Sequence, residues 1–541
     1  MLTRISGGRI IDPTIGDPAT GRDEIGDLWI EDERIIAPPS RPADLEYDAG
    51  GAIVLAGAID IHSHIAGANV NTARLLLPEL HDGAMFGAAP PGEWIGRLFA
   101  AMGYTTVVEP AISPHVALQA QRELAAIPFI DKAILSVLGN DDFTLRLIRA
   151  GETTALADYA ARTLGAAGGL GIKTINPGGA VAFRENARSF SLDDEVPGFG
   201  LSSRAIMRAL QGAVAALGIA HPLHLHANNL GLPGNVETAL ATIAAAEGER
   251  LHLAHLQFYA YGAEGPRKFS SAAARLAEAV NAAPNISVDV GQVMFGQTVT
   301  ISSDVLRQFG ARAQASPRKF AITEAEGNGG GIVPYRYRRK NFFNAVQFAA
   351  GLELFLLIHD PWRIFFTTDH PNGAPFTAYP DLFALLMDRD LRARWIAELP
   401  EDAIAMTTLP SITREYDWRD IAIMTRAAPA RLLGLRDRGH LAPGARADIA
   451  VYRPQADRAA MFRNADLVFK DGKLILRRGE VVERHFGRAL RVAPGFDRAI
   501  EPRLAAYYED VFGVPVHAFD VPEAAITRAD RPAFENVPCR T

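Results

Sequence analysis

Two histidines stand two positions apart in the stretch GAIDIHSHIAG: His62 and His64. The run before them is apolar and strand-like, and alternation along a strand turns residues i and i+2 to one face. Two imidazoles sharing one face at a strand end are donors for a divalent metal ion, or else a hydrogen-bonded pair within a core. Other apolar runs end in the same way. HPLHLHANN carries His224 and His226, LHLAHLQF carries His252 and His255, and IFFTTDHPNG ends in Asp369 and His370. The chain has 14 histidines, and coincidence would rarely set so many of them at strand ends.

Lys173 is a different kind of signal. Lysine is scarce in this arginine-rich chain, yet one sits inside the apolar run GLGIKTINP. A buried ammonium is unfavourable unless it is paired or neutralised, and nearby metal cations would disfavour its charge further. The neutral amine can take up carbon dioxide to give a carbamate, which acts as a carboxylate and can bridge two cations. The alternatives are a lysine that snorkels to a rim, or one paired with an acid such as Glu109.

These residues need strands to position them, and eight candidates are present. They are AGAIDIHSH, TTVVEP, AILSVLG, GLGIKTINP, HPLHLHANN, LHLAHLQF, NISVDVGQV and RIFFTTD, with helical segments such as SSRAIMRALQGAVAALG between many of them. The alternation suggests a (β/α)8 barrel over residues 56–430. A doubly wound sheet is the other arrangement, but chemistry at the ends of several strands favours the barrel, whose active sites gather at the C-terminal strand ends. The first 55 residues are short strand candidates broken by Gly, Pro and Asp. Short strands return over 431–490, including GRALRV at its end. A small β domain built from both chain ends accounts for this symmetry, two unrelated β units being the alternative, and residues 491–541 form a C-terminal extension.

Composition narrows the function class. A net charge of −7 and a pI near 6.1 give no support to nucleic-acid binding. One cysteine, Cys539, rules out an intrachain disulfide. No long apolar run suggests a secretion signal or a membrane span, so a cytoplasmic location is expected. Several polar residues lie near the strand ends: Asn176, Asn228, His115 and His370. They could bind substrate or orient ligands, or simply tie down loops. The segment EGNGGGIVPYRYRRKNFFNAV, 326–346, falls between the seventh and eighth strands. Its glycines permit a mobile or tightly turned loop, Tyr335 and Tyr337 could stack on an aromatic ring, and Arg336, Arg338, Arg339 and Lys340 form a basic cluster. A surface patch or a contact between subunits is the alternative there.

The order His-x-His, Lys, His, His, Asp on strands one, four, five, six and eight resembles the amidohydrolase superfamily, in its binuclear subtype of dihydroorotases, hydantoinases and ureases. The resemblance implies that His62 and His64 hold one divalent metal ion and that His226 and His255 hold a second. Lys173, as N6-carboxylysine, would bridge the two, and Asp369 would bind the first metal and carry protons. It selects His226 over His224, which lies further from the HANN loop, and His255 over His252. Zinc suits this donor set, and Fe, Mn or Co would also fit.

A narrower resemblance rests on GAIDIHSHIAG, GIKTINPGG, PLHLHANNLGLPGN and TTDHPNG. These are similar to the family of the A subunit of formylmethanofuran dehydrogenase, and most like the hydrolase subunit of bacterial formyltransferase/hydrolase complexes. That family implies cleavage of the formamide of an N-formyl methanofuran-type carrier, formylmethanofuran or methylofuran, to formate and a free amine, within one-carbon metabolism. It also implies a formyltransferase subunit and further subunits as partners, and a basic patch such as Arg338 facing an anionic carrier tail. The rival readings are a cyclic-amide hydrolase of the hydantoinase kind, a deacylase of N-acyl amino acids, and a non-catalytic scaffold.

Overall fold

A computed structural model of the chain describes residues 1–17, 19–77, 92–185, 187, 190–302, 331–527 and 533–540. Its first strand, β1 (Leu2–Asp12), pairs antiparallel with β2 (Arg22–Glu31), which turns into β3 (Arg34–Ile36). Parallel neighbours of β1 are β4 (Leu45–Asp48) and β5 (Ile53–Ala56). One face of this sheet buries Ile5, Ile10, Leu28, Ile30 and Val54 in a core of its own.

After Gly57 the chain enters the barrel. Its strands are β6 (Ala58–Asp60), β7 (Tyr104–Ile112), β8 (Asp131–Val137), β9 (Gly171–Ile175), β10 (Leu223–His226), β11 (Leu251–Leu253) and β12 (Ile286–Asp289). An antiparallel ribbon comes next, β13 (Gly296–Ser302) with β14 (Gly331–Tyr337), and then the eighth barrel strand, β15 (Ile364–Phe365). All eight barrel strands run parallel in chain order from β6 to β15. The ring closes just beyond the strand ends, where Ser63 bridges His370 and the His64 amide donates to the His370 carbonyl at 2.9 Å. The eight strands expected from sequence are these eight. Near-continuous burial along them fits strands covered on both faces.

Helices wrap the ring. Helix α1 (Thr153–Ala167) packs on α2 (Ser203–Ala216), whose N-terminus is capped by the Ser202 hydroxyl accepting from the Ala205 amide. Ile206, Met207, Leu210 and Val214 recur at helical spacing on the buried face of α2. Helix α3 (Phe342–Leu357) is apolar nearly all round, and nearly all of it is buried. None of the helices among the described residues is long and apolar enough to cross a membrane.

The chain then returns to the first sheet through β16 (Ile449–Tyr452), antiparallel to β5, and β17 (Leu467–Lys470), β18 (Lys473–Arg477) and β19 (Glu480–Val481) extend it. Both chain ends thus contribute to one sheet. The strand at GRALRV behaves otherwise. As β20 (Ala489–Arg491) it runs parallel to the start of β8 in the barrel, and β21 (Glu535–Asn536) from the chain terminus pairs with it. The reason is geometric: β9 pairs with β8 only from Leu135 onward, so the earlier edge of β8 is open for a further strand. Helix α4 (Ile500–Phe512) of the extension lies against α1.

The two sheets meet over a buried ionic cluster. The Lys470 ammonium reaches Asp131 at the start of β8 (3.1 Å) and Asp448 (2.9 Å). Arg438 Nε reaches the same Asp131 oxygen, Oδ2, at 2.8 Å, and Arg488 and Arg446 tie in Glu33, Asp471 and Glu535.

Candidate metal centre

The strand ends converge on a cavity of about 340 Å³, and His62, His64, Lys173, His226, His255 and Asp369 all line it. Alternation explains how β10 serves it: His224 and His226 both point inward, His226 one layer nearer the mouth. Lys173 on β9 stands level with His224 in the ladder, on the same inward face. Asp369 and His255 adopt left-handed backbone conformations at their strand ends, which swing their side chains into the cavity.

Distances among the donors are short. Asp369 Oδ1 lies 3.0 Å from His62 Nε2 and 3.3 Å from His64 Nε2, and His226 Nδ1 lies 3.1 Å from His255 Nε2. Carboxylates fix which imidazole nitrogens carry protons. His62 Nδ1 faces Asp289 Oδ2 at 3.0 Å, and His64 Nδ1 faces Glu109 Oε1 at 2.9 Å. A carboxylate only accepts, so each Nδ1 carries a proton; each Nε2 faces Asp369, donating to it while the ring is charged and offering a lone pair to a metal ion once the ring is neutral. Positive charge has to sit between Asp369 and these nitrogens, as protons in the metal-free chain or as a metal ion in their place. Asp369 Oδ1 is buried and unsatisfied by hydrogen bonds, the condition expected of a donor reserved for a metal ion. The donor set fits divalent metal.

Burial works against the charge of every group here. It drives the imidazoles of His224 and His255 well below their ordinary range, so both are neutral and able to donate a lone pair. It also pulls the Lys173 ammonium down to about 8, against the opposing pull of Asp289, Asp369 and Glu109. No hydrogen bond or ion pair holds that ammonium among the described residues. Burial alone would also push Asp369 up, but the surrounding imidazoles hold it well below the usual carboxylate range. His64 is raised to about 9: burial opposes its charge, and the adjacent Glu109 and Asp369 outweigh that opposition.

Most of the remaining candidates stand outside the cavity wall. Asn228 Nδ2 donates to Asn176 Oδ1 (2.8 Å) and to the Ser203 hydroxyl (3.0 Å), so both asparagines tie together the loops after β9 and β10. His370 is buried, with Nδ1 accepting from the Phe376 amide. The His115 ring stacks edge-on against Phe512 of α4 and Phe519. Tyr337 of the ribbon does line the cavity, and Tyr335 bonds Asn344 from beside it. Arg338 is exposed, whereas Arg339 is engaged by Glu398 (2.8 Å) and by the Trp395 ring, and Lys340 by the Glu398 carbonyl. Glycines 327, 329 and 330 lie outside the described residues, and the residues directly after them form a strand rather than a loop. The sequence by itself did not single out Asp289, and it marked Glu109 only as a partner for lysine. A charged residue in the middle of the buried run NISVDVGQV was the available signal for Asp289.

The amidohydrolase family model matches residues 45–482. The chain belongs to the amidohydrolase family. Within this family of metal-dependent hydrolases it is 50% identical to the A subunit of the formyltransferase/hydrolase complex Fhc of Methylorubrum extorquens, over 100% of both chains. It is 37% identical to protein FwdA of Methanocaldococcus jannaschii, over 88% of this chain and 89% of that one. Its fold superposes with a TM-score of 0.93 on a chain in the crystal structure of the M. extorquens FhcABCD complex with methylofuran, 50% identical and covering 100% of both. An amidohydrolase barrel with an added β domain is therefore the architecture of this chain.

Proposed function

We propose that this amidohydrolase is the hydrolytic subunit of a formyltransferase/hydrolase assembly. Its substrate would be an N-formyl methanofuran-type carrier, cleaved to formate and the free amine. The observation that carries the reading is the convergence of all six expected donor residues on one cavity, in a chain alike along its whole length to a component of that named complex. A formyltransferase subunit and further subunits are the partners that this reading implies, in the cytoplasm.

His62, His64 and Asp369 would hold one divalent ion, zinc by donor type, and His226 and His255 a second, with carboxylated Lys173 between them. Bound there, the two ions would polarise the formyl oxygen and make water acidic enough to ionise near neutral pH. Asp369 would take the proton from the attacking water and return it to the departing nitrogen. The C–N bond breaks as that nitrogen gains the proton, because an alkylamine leaves poorly as an anion. Lys173 supports this assignment in its own way: its amine is buried, lacks a hydrogen-bonded or ion-paired partner among the described residues, and is pulled down to about 8. The neutral form that reacts with carbon dioxide is thus populated at physiological pH. Thr300, Ile301 and Tyr337 would wall the carrier's ring, and exposed Arg338 on the other face of the ribbon suits an anionic tail.

The test is formate release. The purified chain, with and without co-expressed partner subunits, is assayed on a formylated methanofuran-type carrier, on hydantoin and on dihydroorotate. Formate from the carrier alone, from protein holding about two metal ions per chain, supports the proposal. Ring opening of either cyclic amide, with an inert carrier, overturns it.

A further inference from the structure

Barrel strand β12 supplies no ligand to the proposed metal pair, yet its end touches a donor of each metal position. Asp289 Oδ2 accepts from His62 Nδ1 (3.0 Å) and from His252 Nε2 (3.0 Å). Asp289 Oδ1 accepts the backbone N–H of His255 at 2.6 Å. His252 is itself anchored, its Nδ1 lying 2.9 Å from the Ser287 hydroxyl on the same strand. One carboxylate, fully buried, therefore reaches His62 by side chain and His255 by backbone.

A second observation on the same strand end concerns His255 alone. That residue holds φ 38° and ψ 53°, a left-handed conformation that a side chain disfavours. Its Cβ lies where only a glycine could face it: a Cβ on Gly291 would stand 2.5 Å from the His255 Cβ, and Gly291 itself has φ +68°. Asp289 and Gly291, two apart, thus form a seat whose shape and charge set where the His255 ring goes.

We infer that Asp289 is a positioning residue for both metal sites, and that Gly291 is one for the second site only. The inference rests on the ligand reading of His62 and His255. Asp289 holds the proton of His62 on Nδ1 and leaves Nε2 free to ligate, as outer carboxylates do for ligating imidazoles. Replacing it by asparagine forces a conflict. Asn offers one acceptor and one donor, whereas His62, His252 and the His255 amide all present N–H groups. Either His62 shifts its proton to Nε2 and ceases to be a donor, or the His255 backbone loses its anchor.

The experiment is zinc binding to the metal-stripped full-length chain, in competition with a chromophoric chelator. Bound metal is counted by plasma mass spectrometry, and the melting of each metal-free variant is recorded alongside. Wild type is expected to bind two ions. D289N is expected to lose about tenfold or more in affinity at both positions. G291A should weaken one ion by a similar factor and leave the other within about twofold, a split that general loosening of the fold would not produce. Two ions bound to D289N at wild-type affinity would overturn the seat, as would G291A weakening both ions equally or neither. A third ion in wild type, lost selectively in D289N, would also overturn it, because Asp289 would then be a ligand with His224 and His62. A wild-type chain that binds no zinc sinks the ligand reading itself, which the other outcomes leave intact. If D289N does not fold, the selectivity of G291A decides.

Discussion

Lys173 concentrates the chemistry of the cavity in one nitrogen. With its ammonium pulled down to about 8, the neutral fraction rises about tenfold per pH unit below that value and levels off above it. At a fixed concentration of dissolved carbon dioxide, metal-stripped protein should therefore regain zinc and activity about tenfold faster at pH 7 than at pH 6. The gain from pH 8 to pH 9 should be under twofold, and timed reactivation measures both. K173A should lose most activity and bound metal, with partial rescue by small carboxylic acids that stand in for the carbamate. Absence of any rescue would argue against a bridging role. D369N keeps the size of the side chain but removes the proton carrier, so kcat should fall by roughly 10² to 10⁴. Stopped-time formate assays on metal-loaded protein give that ratio.

The ribbon β13–β14 lines the cavity, and the loop after Asp369 holds it: Thr298 donates to the Pro371 carbonyl and Tyr337 to the Asn372 carbonyl. Asn372 Oδ1 accepts the Ile301 amide at 2.6 Å, beside Thr300 and Ile301 where they line the wall. N372A would leave that half-buried amide unpaired, a loss on the order of 1 kcal/mol. Because the donors lie on other elements, the expected effect is a rise in KM of about fivefold, with kcat and metal content little changed. Faster amide exchange at Ile301 in N372A would place the cause in the ribbon. Unchanged exchange together with a raised KM would assign the effect to direct contact with substrate instead.

At the scale of the whole molecule, the ionic cluster around Lys470 joins the small sheet to the base of the barrel. Burial opposes the charge of Asp131, but Lys470 and Arg438 overcome it and hold this carboxylate well below its ordinary range. A depressed carboxylate stabilises the fold fully above the unfolded-state value of about 4, and that contribution is lost progressively as pH falls from there toward the folded-state value. Asp448 shifts the other way, raised by burial, and offsets part of the effect. K470M removes the ammonium paired with Asp448, while Asp131 keeps Arg438, and should cost about 3–5 kcal/mol. Chemical denaturation at pH 7 measures this, and the gap between variant and wild type should narrow as the pH approaches 3.

Much of this was open to inspection in the linear chain. Strand alternation is a local property, so His62 with His64, the eight apolar runs, and the donors at their ends could be read without coordinates. Apolar flanks marked Lys173 as buried for the same reason. What stayed hidden depends on closure of the ring. Only when Ser63 meets His370 does β12 come beside the first strand's histidines, so the link from Asp289 to His62, 227 residues away in sequence, carries no local signal. The same holds for GRALRV: its pattern says strand, but the open edge of β8 decides that it joins the barrel and not the small sheet. Residue type and period determined which side chains could donate to a metal. The tertiary fold decided which nitrogen of His62 and of His64 faces the cavity, because that choice belongs to the carboxylate behind each ring, Asp289 and Glu109.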